Sequence, residues 1–155
     1  MKAVAAVVLL GLAACSTPCC PVPGADEAKD VEAAVRGMYE AFKGKSLEGV
    51  GPFMTEDSTC YDASTSQLLV GRRAVLDHFG AILARHKPGE KWESSIEDMK
   101  VQVTGATALA TYKVKTSAEG GGHMLAAVTH VFAKGDDGRW RATHLHRSWN
   151  SPPPK

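Results

Sequence analysis

Gly138-Arg139-Trp140-Arg141-Ala142-Thr143-His144-Leu145-His146-Arg147-Ser148-Trp149 is the stretch on which the fold turns. It follows Lys134-Gly135-Asp136-Asp137-Gly138, a strong hairpin signal, and reads as a long closing strand. Strand side chains alternate between two faces. Strict alternation sends Trp140, Ala142, His144, His146 and Ser148 one way, and Arg141, Thr143, Leu145, Arg147 and Trp149 the other. One face then holds two histidines and a hydroxyl beside a large ring. That suits the wall of a small-molecule pocket better than a plain core.

Upstream, three more long antiparallel strands are predicted over 92–103, 108–118 and 123–133, joined by Thr104-Gly105 and Glu119-Gly120-Gly121-Gly122. Before them come helices. Val31, Val35, Met38 and Phe42 recur at helical spacing, with Asp26 a plausible N-cap and Gly44 a stop. Ser46 can cap a short second helix. Two short strands over 58–62 and 67–70 flank the turn Ala63-Ser64-Thr65-Ser66. A third helix opens at Gly71-Arg72-Arg73, carries Val75, Phe79, Ile82 and Leu83 on one stripe, and is closed by Pro88. Helices first and long strands last predict an α+β fold, helices packed on one face of a strongly curved antiparallel sheet. Such a cone encloses a pocket.

The 155 residues suit one domain with accessories. Met1-Lys2 followed by the small and apolar run 3–14 has the outline of a secretory signal, too short to span a bilayer. Leu12-Ala13-Ala14-Cys15 resembles the lipobox of bacterial lipoproteins. That resemblance implies cleavage before Cys15, lipidation of that cysteine and a membrane anchor, each buried methylene contributing about 0.8 kcal/mol. Ser16 follows the cysteine, where an Asp would suggest inner-membrane retention, so an outer-membrane lipoprotein facing the periplasm is expected. The chain thus divides into a signal peptide over 1–14, a lipidated, proline-rich tether over 15–27, a domain over 28–150 and a loose tail over 151–155. Without the leader, the 18 basic and 17 acidic side chains become 17 of each. A neutral chain offers no footprint for nucleic acid and no polybasic membrane patch. Cys19, Cys20 and Cys60 fit no zinc spacing; the compartment permits disulfides, and a buried free Cys60 is preferred.

The domain resembles the SnoaL-like branch of the NTF2-like superfamily. The resemblance lies in Val35-x-x-Met38-Tyr39-x-Ala41-Phe42, Met54-Thr55-Glu56-Asp57, Gly71-Arg72-x-Ala74-Val75-x-x-His78-Phe79 and Asp137-Gly138-Arg139-Trp140-Arg141-x-x-His144-x-His146-x-Ser148. It implies a cone with an interior cavity, often dimeric through the sheet, so a homodimer is expected. It does not fix an activity, because the superfamily hosts isomerases, cyclases, dehydratases and binding or assembly domains. Close relatives often carry an arginine two positions before a threonine on the penultimate strand. Here Ala127 stands two before Thr129, which counts against an anion held there.

His144 or His146 is the expected general acid/base, with Asp62 or Tyr61 beside it. An H-x-H pair could also ligate a metal if His130, His123 or Asp62 supplied a third ligand, but no spacing indicates one, and neither metal nor cofactor is expected. A bracing role for the histidines, through Ser148 or a carbonyl, is the plainer alternative. Asp57 and Asp62 are five apart, so at most one faces inward. Tyr39 and Tyr61 could donate to a developing oxyanion. Tyr39, Tyr61, Trp92, His130, Trp140 and Ser148 are the expected ligand contacts. Arg72 and Arg73 sit unfavourably at a helix start, which hints at a carboxylate partner. Three functions stay open: binding of a small, largely apolar molecule, an isomerase, dehydratase or hydrolase, and an envelope assembly module.

Overall fold

The computed structural model describes residues 24–85, 92–118 and 123–149. The leader, Cys15, the tether up to residue 23 with Cys19 and Cys20, the 119–122 segment, Pro88 and the tail lie outside the described residues, while residues 25–27, expected in the tether, already belong to helix α1. Helix α1 (Ala25–Lys43) leads into α2 (Leu47–Val50), a 3-10 turn (Gly51–Phe53) and the strands β1 (Met54–Tyr61) and β2 (Leu68–Val70). Helix α3 (Arg72–Leu83) is followed by β3 (Trp92–Thr104), β4 (Thr107–Ala118), β5 (His123–Lys134) and β6 (Trp140–Trp149). Among the described residues no helix is long and apolar enough to cross a membrane.

Local chemistry explains most boundaries. Gly24, at φ 95°, is the N-cap of α1, two residues before the expected cap Asp26, which lies inside the first turn. Ser46 caps α2, its hydroxyl accepting from the Gly49 N–H at 3.0 Å. Helix α3 ends at Leu83, earlier than the Pro88 stop predicts. Strand β1 starts four residues before its predicted beginning. Arg72, the misplaced charge at the start of α3, meets Glu56 on β1 and donates to the Met54 carbonyl at 3.4 Å.

The six strands form one curved, open sheet in the order β2-β1-β6-β5-β4-β3. All neighbours are antiparallel except β1 and β6, which run parallel. Helix α1 lays Val31, Ala34, Val35, Met38 and Tyr39 against the inner face. Small side chains there, Ala108, Ala110, Ala126 and Ala142, let it lie close, and Phe132 is fully buried beside them.

Three register shifts bend the sheet. One lies in β3 between Glu97 and Lys100, where Asp98 has φ 53° and reaches Lys113 at 2.7 Å. A second lies in β1 between Met54 and Thr59. The third involves β5 and β6: Phe132 pairs with Ala142 and Val131 with His144, leaving Thr143 as an extra residue. The Thr143 hydroxyl donates to the Val131 carbonyl at 3.3 Å across this bulge.

Candidate functional site

The Thr143 bulge decides which side chains of β6 meet the interior. Before it, Trp140 and Ala142 are buried on the inner face. After it the alternation restarts one residue late, so Leu145, opposite the buried His130, and Arg147, opposite the buried Val128, point inward. His144, His146 and Ser148 therefore point outward. This corrects the strictly alternating reading, in which both histidines share the face of Trp140. The spacing carries a trace of it, since Ala142 and Leu145 are both buried but three apart, an interval no regular strand keeps on one face.

The inner face gathers polar groups among apolar walls. Cys60 of β1 pairs with Leu145, which in turn lies opposite His130. The Tyr112 hydroxyl lies 3.3 Å from His130 Nδ1, the rings edge-on at 5.4 Å, and Phe132 flanks the imidazole at 6.0 Å. Burial pushes the His130 imidazole down to about 3 and the Cys60 thiol up to about 11, and it raises the Tyr112 phenol. The Arg147 charge acts on all three, disfavouring imidazolium and favouring thiolate and phenolate. At neutral pH all three groups are uncharged beside a half-buried guanidinium. Ser58 is fully buried, and neither its hydroxyl nor that of Ser94 has a hydrogen-bond partner among the described residues. Tyr39 is buried on α1.

A second polar group lies where β1 ends. Asp62 Oδ2 stands 3.7 Å from His78 Nδ1 of α3, both side chains largely covered. The Ser64 hydroxyl and N–H, at 2.6 and 2.7 Å, hold the Asp62 carboxyl down to about 2, with His78 assisting. Asp57 is exposed, so of the two carboxylates only Asp62 is sheltered.

The outer face carries a different cluster. Thr59 Oγ1 lies 2.8 Å from His144 Nδ1, and the Tyr61 ring meets His144 and His146 edge-on at 5.8 and 5.9 Å. Tyr61 is 42% exposed, and His146 and Ser148 are exposed as well. Tyr61 and Ser148, expected as pocket contacts, thus lie outside with the two histidines. Among the described residues no three His, Cys, Asp or Glu side chains come together to hold a metal. Trp140 faces α1 and lines a groove of about 430 Å³ with Ala34, Phe53 and Arg139. The side chains of Trp92 and His123 lie outside the described residues.

Of the expected site residues, His130, Tyr39 and Trp140 are buried on the inner side and Asp62 is paired with His78 where β1 ends, whereas Tyr112, Arg147, Ser58 and the His78 pairing were not foreseen. Tyr112 carried a signal, as a lone phenol in the buried alternation Ala108, Ala110, Tyr112, Val114. Ser58 carried none.

The comparisons agree on the fold. The model of the SnoaL-like domain matches residues 31–152. No curated protein matches the chain. Among solved structures, an NTF2-like protein of unknown function from Pseudomonas putida superposes with a TM-score of 0.71 at 15% identity, covering 83% of this chain and 97% of its own. A candidate dehydratase of the NTF2-like family from Streptomyces avermitilis gives 0.70 at 25% identity, covering 84% and 100%. A candidate ketosteroid isomerase from Shewanella frigidimarina gives 0.67 at 20%, covering 77% and 94%. With its cone of helices on a curved sheet and a family match over most of its length, this chain belongs to the SnoaL-like domain family.

Proposed function

We propose that this is a lipid-anchored envelope protein whose interior takes up a small, largely apolar molecule. The observation that carries the reading is the inner wall itself: Ser58, Tyr112, His130 and Arg147 set among Val128, Leu145 and Cys60. A few oriented polar groups in an apolar surround are what a small-molecule site needs, the apolar part supplying affinity and the polar part orientation. The buried Ser58 hydroxyl, with no hydrogen-bond partner among the described residues, adds to it. Cys15 carries the lipid, the outer membrane holds the anchor, and the domain faces the periplasm.

The partner is a second copy. Among the described residues the exposed large apolar side chains are Tyr61, Leu68, Val70 and Leu109. Pairing puts all four on the outer face: Val70 opposite Thr59, Leu68 opposite Tyr61, and Leu109 opposite Val131. A sheet face so composed favours burial against its own kind. Mass spectrometry of the full chain extracted in mild detergent tests these points together. It should find a dimer, acyl mass on the Cys15 peptide and a co-purifying small molecule. A ligand-free protein that no member of a small-molecule library stabilises would overturn the binding reading.

A second reading, proton transfer of the isomerase or dehydratase kind, is favoured by the Asp62–His78 pair. A carboxylate facing Nδ1 orients the imidazole and leaves Nε2 to take a proton. On this reading His78→Ala and Asp62→Asn each lower turnover of a found substrate by about 100-fold, while His144→Ala and His146→Ala leave it unchanged. Loss with the outer pair, and not with His78, would reverse the assignment.

A further inference from the structure

We propose that His144 and His146 hold a divalent metal ion of the zinc class on the outer face of the sheet, and that the same pair of a second copy completes its shell; this rests on the outer face pairing two copies. The Thr143 bulge makes the arrangement possible. It turns both histidines outward, His144 opposite Val131 and His146 opposite Thr129. His130 stays buried on the inner face, and Asp62 is engaged by His78. One chain therefore offers two ligands, and among the described residues no third His, Cys, Asp or Glu joins them.

Thr59 prepares His144 as a ligand. A hydroxyl has one proton, and Thr59 Oγ1 donates it to the Thr143 carbonyl at 3.4 Å. The same oxygen then accepts at 2.8 Å from His144 Nδ1–H, which fixes the tautomer and leaves the Nε2 lone pair unused. Metal-bound histidines are held in this way, through a hydrogen bond at the other ring nitrogen. His146 follows about 7 Å further along the strand. It is exposed and has no hydrogen-bond partner among the described residues. The Tyr61 ring meets both imidazoles edge-on at 5.8 and 5.9 Å and steadies them side by side.

The place of β6 in the sheet supplies the remaining ligands. It lies inside the strand order, with β1 and β2 on one side and β5, β4 and β3 on the other. The exposed apolar side chains flank it, Tyr61, Leu68 and Val70 on one side and Leu109 on the other. A two-fold axis through the middle of that face brings the histidines of two copies together, because an isologous contact sets each patch against itself. Four imidazole nitrogens, each about 2.0–2.1 Å from one ion, make the closed tetrahedral shell that Zn²⁺ favours. Ca²⁺ and Mg²⁺ take oxygen ligands and do not suit it.

The test titrates Zn²⁺ into the full chain in mild detergent, with Cys19 and Cys20 alkylated so that their thiols do not compete. Calorimetry should give about one ion per two chains, and Co²⁺ in its place should show the visible spectrum of a tetrahedral site. Zn²⁺ at about ten times its Kd should tighten dimerisation about tenfold in the ultracentrifuge, and EDTA should reverse it. His144→Ala and His146→Ala should each abolish the zinc effect, and Thr59→Val should weaken binding about tenfold. Circular dichroism checks that each variant folds. One ion per chain, an octahedral Co²⁺ spectrum, or a zinc effect unchanged in both histidine variants would overturn the metal inference. A dimer indifferent to zinc would overturn it too, and would leave the pairing of two copies standing. A monomer with and without zinc overturns both. The stoichiometry on the unaltered chain stands even if a variant folds poorly.

Discussion

Leu145→Asp destroys the folded state, whereas His146→Asp leaves it intact. The two residues are neighbours, yet Leu145 is 2% exposed within the core and His146 lies open on the outer face. A carboxylate at 145 would sit between Cys60 and His130 with no cation provided for it but the Arg147 next along that face. Burying such a group costs several kcal/mol, a large part of the roughly 5–15 kcal/mol that stabilises a domain. An exposed substitution usually stays within about 0.5 kcal/mol. Soluble yield, circular dichroism and urea unfolding read the contrast. Leu145→Ala, expected to cost about 2–5 kcal/mol, gives a number if Leu145→Asp cannot be purified. The opposite ranking would mean that β6 alternates strictly and has no bulge.

Acidification produces the second large effect. His130 is buried against Tyr112 and Phe132 with Arg147 nearby, and its folded-state pKa lies near 3 against an ordinary 6.5. The unfolded chain therefore binds a proton that the folded chain refuses throughout that interval. His130 contributes its full stability above about pH 6.5 and loses it as the pH falls toward 3. At about 1.4 kcal/mol per pH unit, the loss between pH 6.5 and 4.5 is about 2 to 3 kcal/mol. Asp62 acts in a separate, lower window. Its carboxyl, held near 2, contributes above about pH 4 and loses that as the pH drops through 2. Urea midpoints measured at pH 7, 5.5 and 4.5 should fall steadily in the native chain, and the slope should flatten in His130→Gln. An equal slope in that variant would assign the acid sensitivity elsewhere.

The sequence announced the elements more clearly than it announced the faces. Val31, Val35 and Met38 recur at helical spacing, and Gly135-Asp136-Asp137-Gly138 can hardly be other than a hairpin, so α1 and the β5–β6 turn were legible. The parallel pairing of β1 with β6 is a long-range choice that no local pattern records. The bulge is harder still. Thr143 is a good strand residue and looks like any other, and only the odd spacing of Ala142 and Leu145 betrays it. Because one extra residue reverses every side chain beyond it, that small omission turned the candidate site inside out. His130 and Tyr39 survived because their own elements are regular. His144, His146, Tyr61 and Ser148 moved outside, and Arg147 came in.

Methyl and aromatic proton contacts measured by nuclear Overhauser spectroscopy on the folded chain decide whether this is right. With the Thr143 bulge, Leu145 methyls lie across from the His130 ring and the His144 ring lies near Val131 and Thr59, so cross-peaks between those pairs are predicted. A strictly alternating β6 would instead set His144 against His130 and His146 against Val128. Cross-peaks from the His144 ring to the His130 ring, or from the His146 ring to the Val128 methyls, would contradict the account.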